Sequence, residues 1–382
     1  MDDPYQLYLT DISGQIRGTL TVIAVEKTAY QPLTACCDSQ EELIMLDIPT
    51  QVKEVQGIDP QNIPAELLST NEPLVLKGVA RDWPLTQAGL RSHEEADAYL
   101  RGFYDGKTVG TFLGNPENNG HYFYNTDMTA LNYASERVRL DQVLDKLLEH
   151  KDDEQPPTFY VGSTSVDVCL PGFRAQNDVT IPMEKDPLVS IWIGNKSRIS
   201  CHFDAPDNLA CSVVGKRRFT IFPPEQVENL YPGPLDFNPA GQQISLVDFA
   251  NPDFEKFPRF REAIAAAQVA ELEPGDALYL PSMWWHHIEG LSSFNILVNY
   301  WWRTCPGFVG PAVNVLRHAI LSIRDLPERE KAAWKALFDF YIFGDSDRPR
   351  DNIPPAAQGL LAPLDDMKSR QLRAWLINRL NR

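Results

Sequence analysis

The chain has 382 residues, 43% of them apolar, enough to bury one large core or two modest ones. Its 35 basic and 52 acidic residues leave a formal charge of −17, which makes nucleic acid a poor partner for the surface as a whole. Six cysteines (Cys36, Cys37, Cys169, Cys201, Cys211, Cys305) without CxxC spacing argue against both a disulfide framework and a zinc ribbon.

In chain order, the start Met-Asp-Asp-Pro lacks the basic and apolar regions of a signal peptide. No run approaches the roughly 18 apolar residues of a membrane helix, so no membrane association and a cytoplasmic location are expected. Residues 1–55 read as a small β-rich segment, with apolar runs at 19–25 and 42–48 and no evident chemistry. From Gly57 the pattern changes to a short helix and then a buried strand that ends at Gly78, followed by Trp83-Pro84. Helical spacing recurs at Ala96, Tyr99, Leu100 and Phe103, and again at Leu140, Val143, Leu144 and Leu147. His93, His121 and His150 lie in polar surroundings and read as solvated histidines. Residues 157–161 read as a strand carrying Tyr160.

Six short strands follow at 188–193, 199–204, 208–214, 219–222, 277–280 and 294–302, separated by Gly, Pro and Asn turns. No long helix interrupts them, which points to an antiparallel barrel or sandwich. Within them stands Ser-Cys-His-Phe-Asp, where His202 and Asp204, two apart on a strand, present an imidazole and a carboxylate to one face. A second histidine, His286, comes 84 residues later, after a Pro-Gly-Asp turn. Two histidines and one carboxylate leave three positions of an octahedron open, the arrangement of non-haem Fe(II) oxygenases. His286 and His287 must face opposite sides of a strand, so only one reaches the metal. The stretch 217–222 places one arginine on each face, Arg217 and Arg218, so a fixed cation is available to a dicarboxylate. Asn299 sits inside an apolar strand, where its amide must find partners. Trp301 follows by two and shares its side. Cys201 points away from His202 and reads as a small buried apolar residue. No Walker loop, GxGxxG or HExxH motif supports nucleotide or zincin chemistry.

This succession, densest from 198 to 303, resembles the JmjC-type, cupin-like 2-oxoglutarate oxygenases, most specifically the asparaginyl hydroxylase that inhibits hypoxia-inducible factor. The resemblance implies a mainly β fold, a double-stranded β-helix of the jelly-roll type with C-terminal helices. It implies Fe(II) held by His202, Asp204 and His286, with 2-oxoglutarate and O2 as cosubstrates. It further implies cosubstrate contacts from Tyr160, Asn208, Asn299 and Arg217, the last standing where the hydroxylase family has lysine. A second departure is Ile199 in place of a threonine, with Ser200 as the candidate substitute. Gln243 and Ile244 stand where the asparaginyl hydroxylase has an Arg-Gln pair for the target amide, which removes the basis for selecting asparagine.

Beyond Arg303 the pattern turns helical, with apolar stripes at 312–323, 333–341 and 372–380. From Pro306 onward there are 12 basic and 9 acidic residues, so the acidity belongs to the front. The expected division is a β-rich segment at 1–55, a catalytic domain at 56–305, and a helical region at 306–382 that the resemblance makes a homodimer interface. The expected function is an Fe(II)- and 2-oxoglutarate-dependent hydroxylase of a protein or peptide side chain, with Trp301 walling the substrate cleft. The alternatives are a small-molecule hydroxylase, a cupin dioxygenase that uses no 2-oxoglutarate, and a cupin-type metal- or ligand-binding module without turnover.

Overall fold

Alternation along the strands decides the architecture. In Asn295–Trp302, the side chains of Ile296, Val298, Tyr300 and Trp302 enter one apolar cluster, whereas Leu297 enters another. A strand buried on both faces needs a layer on each. The structure, a computed structural model, describes residues 46–183, 186–239 and 241–381. The apolar run expected at 19–25, and all but the end of that at 42–48, lie outside these.

The described residues up to Arg303 form one compact unit. Its larger sheet contains β1 (Lys53–Val55), β2 (Leu74–Leu76), β3 (Thr108–Gly114), β5 (Tyr133–Arg139), β6 (Thr158–Ser165), β7 (Leu188–Gly194), β9 (Asp207–Val214), β12 (Ala277–Leu280) and β14 (Asn295–Trp302). The smaller contains β4 (His121–Tyr122), β8 (Ser197–Phe203), β10 (Arg217–Phe222), β11 (Gln268–Leu272) and β13 (Trp285–Gly290). Their spatial orders are β1-β2-β12-β9-β14-β7-β6-β3-β5 and β11-β10-β13-β8-β4. Every pairing is antiparallel except β1 with β2 and β4 with β8. The protein is thus mainly β, a jelly roll with helical additions.

Between the sheets lies a cluster built from Phe219, Ile221, Leu278, Leu280, Trp284 and Leu297. Helices His93–Arg101 and Leu140–Glu149 cover the outer face of the larger sheet through Leu100, Leu144 and Leu147. A third cluster, with Cys201, Phe222, Phe260 and Trp285, covers the outer face of the smaller sheet. At the predicted Pro-Gly-Asp turn, Gly275 takes φ 98° and its Cβ position would lie 2.7 Å from the Arg81 Cα, so glycine is required there. Strands β3 and β5 escaped the sequence reading because β3 holds two glycines and β5 is an edge strand with mostly exposed polar side chains.

Thr304–Arg382 forms the second unit, with helices Ala312–Ser322, Glu328–Phe338 and Asp366–Leu380. Among its described residues the one buried side chain is Ser369. Large apolar groups such as Leu321, Trp334, Phe343, Trp375 and Ile377 stand exposed. Among the described residues no helix is long and apolar enough to cross a membrane.

Candidate metal centre and anion pocket

Pairing of β8 with β13 places His202 directly opposite His286, and their ring centroids stand 4.4 Å apart. Asp204 lies just past the end of β8, with Oδ2 3.8 Å from the His286 Nε2. One ligand atom from each of His202, Asp204 and His286 falls within 4.8 Å of the others, a separation at which a single ion can meet all three. Both rings are oriented by backbone carbonyls. The His202 Nδ1 lies 2.8 Å from the Ser200 carbonyl, and the His286 Nδ1 3.0 Å from that of Trp284. A carbonyl only accepts, so each Nδ1 carries the proton and each Nε2 is left with a lone pair for a metal. Burial, reinforced by the neighbouring His202, holds His286 well below the usual imidazole range and so keeps it neutral. Burial also pushes the Asp204 carboxyl up. A divalent cation would stabilise the carboxylate and bind the neutral ring, so the donor set fits a metal.

Strand β10 pairs with β13 without a register break, so Arg217, Phe219 and Ile221 share the face of His286. Arg217 is 2% exposed, its Nε has no hydrogen-bond partner, and among the described residues it forms no ion pair. Its partner is the Tyr160 hydroxyl on β6. Burial lowers the affinity of Arg217 for its proton and pushes the Tyr160 hydroxyl up to about 12. A guanidinium removed from water without a carboxylate costs several kcal/mol, and an anion bound beside it would remove that cost.

The inner face of the larger sheet supplies the remaining wall. Trp192 donates its indole N–H to the Asn299 Oδ1 at 2.9 Å, and Asn299 Nδ2 donates to Asn208 Oδ1 at 3.3 Å. The Trp192 ring lies between Tyr160 and Trp301, 5.9 Å from each. Trp301, half-buried, keeps an unpartnered Nε1. All four sequence-predicted cosubstrate residues therefore belong to the inner surface, and Trp301 adjoins it.

Residues 60–308 match the family described as "Cupin-like domain". The chain belongs to the cupin-like family. It is 26% identical over 261 residues to lysine-specific demethylase 8 of Xenopus tropicalis, covering 68% of this chain and 54% of that protein. It is 25% identical over 260 residues to JmjC domain-containing protein D of Dictyostelium discoideum, covering 60% and 52% respectively. It is 26% identical over 322 residues to tRNA wybutosine-synthesizing protein 5 of Gallus gallus, covering 76% and 92%. The chain thus spans about half the length of the first two relatives. The JmjC-type members of this family are Fe(II)- and 2-oxoglutarate-type oxygenases or demethylases.

Within this cupin-like frame the structure corrects two expectations. Ser200 does not replace the missing threonine. Against β13 the register passes from His202 opposite His286 to Ile199 opposite Ile288, so a bulge at 200–201 turns Ile199 to the His202 side and Ser200 to the other. The Ser200 hydroxyl donates to the Tyr122 carbonyl at 2.9 Å and meets the His121 Nε2 at 3.1 Å. His121 is accordingly no solvated histidine: burial holds its pKa down to about 4, aided by Arg198. His93 and His150 are half-buried, against the rings of Phe294 and Phe159. His287 lies on the outer face, 4.6 Å from the Phe249 ring. Ile244 is 1% exposed and so offers nothing to a substrate amide. The sequence reading missed Trp192, although its position two residues after Ser190 on a predicted strand already put it on the side opposite Ile191 and Ile193.

Proposed function

We propose that this protein is an Fe(II)- and 2-oxoglutarate-dependent oxygenase that hydroxylates a protein or peptide side chain. The observation that carries the reading is a buried arginine that has no counterion among the described residues, on the same inner face as a His-Asp-His cluster. His202, Asp204 and His286 would hold Fe(II) by three contacts and leave three positions open. When bound, Fe(II) with 2-oxoglutarate and O2 supplies the oxidising chemistry that inserts one oxygen atom into a C–H bond, with succinate and carbon dioxide as the other products. Arg217 grips the far carboxylate of the cosubstrate by a charge-assisted pair, and Tyr160 adds a hydrogen bond. Asn208 and Asn299 present amides that orient it from the opposite sheet. Phe219, Ile221 and Leu297 keep the cavity dry, which strengthens each of these contacts.

The acidic front of the chain favours a basic peptide as the substrate and opposes a nucleic acid, whose phosphates such a surface repels. One relative is named for tRNA and another as a lysine-specific demethylase. The charge balance supports the protein substrate of the two. Purified protein with Fe(II), ascorbate and O2 should convert 2-oxoglutarate to succinate, and peptide-sized fractions of cell extract should stimulate the conversion. The product should be heavier by one oxygen atom, whereas demethylation would leave it lighter by one methylene. Stimulation confined to small-molecule fractions would defeat the protein-substrate reading. Absence of any succinate would favour a binding module without turnover.

The same reading includes a homodimer formed through the second unit. A helical unit with no buried apolar side chain among its described residues lacks a core of its own, and a matching copy supplies one. Sedimentation should give twice the 43.2 kDa of one chain, and Trp375→Glu should shift it toward monomer. A monomeric wild-type protein would overturn this.

A further inference from the structure

The turn at 281–284 joins β12 to β13 and is tied to the segment 204–207 by three hydrogen bonds, one to the Asp207 carboxylate and two to backbone carbonyls. The Ser282 backbone N–H donates to the Asp207 Oδ1 at 3.0 Å. The Tyr279 hydroxyl of β12, which donates to the Thr70 carbonyl at 3.3 Å, lies beside the same carboxylate. Beside them, the Ser282 hydroxyl donates to the Ala205 carbonyl at 2.7 Å. The Met283 N–H donates to the Asp204 carbonyl at 2.8 Å. Met283 takes φ 69°, left-handed backbone that a side-chain-bearing residue adopts only when its surroundings enforce it. Its side chain is 42% exposed, so packing is not what holds it; the hydrogen bonds of the turn are. One residue further on, the Trp284 carbonyl accepts from the His286 Nδ1. A single turn therefore touches two of the three candidate ligands, through the backbone of Asp204 and the imidazole of His286.

We propose that Asp207 is a positioning residue for the metal centre. By fixing the Ser282 N–H it sets the turn that aligns the Asp204 carboxylate with the His286 ring. This rests on the metal-centre reading above, and the two are separated by using the metal alone as probe. Groups that orient metal ligands typically change affinity about ten- to hundredfold when removed.

The test titrates the full-length protein with Co(II), followed by its visible absorption, and records thermal unfolding without metal. Asp207→Ala should weaken Co(II) binding about ten- to hundredfold. Asp207→Asn keeps an oxygen acceptor for the Ser282 N–H and should restore binding. Asp207→Leu, close in shape to asparagine but without an acceptor, should weaken binding in the same direction, which keeps the test decisive if Asp207→Ala fails to fold. Wild-type affinity in either of these two variants would overturn the proposal, as would an Asn variant as weak as they are. A lowered unfolding temperature with unchanged Co(II) affinity would mark a purely structural residue and overturn it too. Failure of the wild-type chain to bind Co(II) would overturn the metal-centre reading itself.

Discussion

His286→Ala is expected to abolish metal binding, with at least about a hundredfold loss of affinity, while His287→Ala retains it. The adjacent histidines differ only in the side of β13 on which they lie. His286 stands across from His202 with its Nε2 free, whereas His287 packs on Phe249 in the outer layer. Removing the His287 ring leaves a cavity and costs about 1 to 3 kcal/mol of stability, a loss the metal does not sense. Co(II) at about a hundred times its dissociation constant should stabilise wild type and His287→Ala by about 2.7 kcal/mol and leave His286→Ala unchanged. Thermal unfolding with and without the ion reads both effects at once. Retention by the His286 variant and loss by the His287 variant would reverse the assignment.

Arg217→Met should produce two opposite effects. Affinity for 2-oxoglutarate should fall by at least about thirtyfold, because truncating a buried partner of a carboxylate costs about 2 to 5 kcal/mol. Metal binding should persist, since the guanidinium is not a ligand. Without cosubstrate, however, the variant should be more stable than wild type by about 1 to 4 kcal/mol, because a well-packed apolar chain replaces a buried charge that has no counterion among the described residues. Arg217→Lys keeps the charge but loses the planar fork, so its affinity should fall between the two. Calorimetric titration with 2-oxoglutarate and denaturant unfolding of the apo protein check these. Unchanged affinity together with lowered stability would make Arg217 a structural residue.

Much of this was legible in the chain alone. Spacing of two along a strand is a local property, so His202 and Asp204 could be paired without knowing the fold, and it was equally legible that only one of His286 and His287 reaches the metal, with the family resemblance indicating His286. The succession of short apolar runs with turn residues likewise pointed to an all-β layer structure, because a strand's side-chain period does not depend on its neighbours. Register is different: it is set by pairing between segments remote in sequence, and one extra residue in a strand turns the following side chains to the other face. That is why the bulge at 200–201, and with it the fate of Ser200, lay beyond reach, and why the burial of His121 was misread. It is also why two facts about charge had to wait for the tertiary structure. That Arg217 has no counterion among the described residues depends on what the opposite sheet brings to it. The role of Asp207 depends on a turn 75 residues away folding back onto it. The local alternation named the candidate ligands; only the pairing of distant strands determined which polar groups were left without partners, and those groups indicate what the cavity was built to hold.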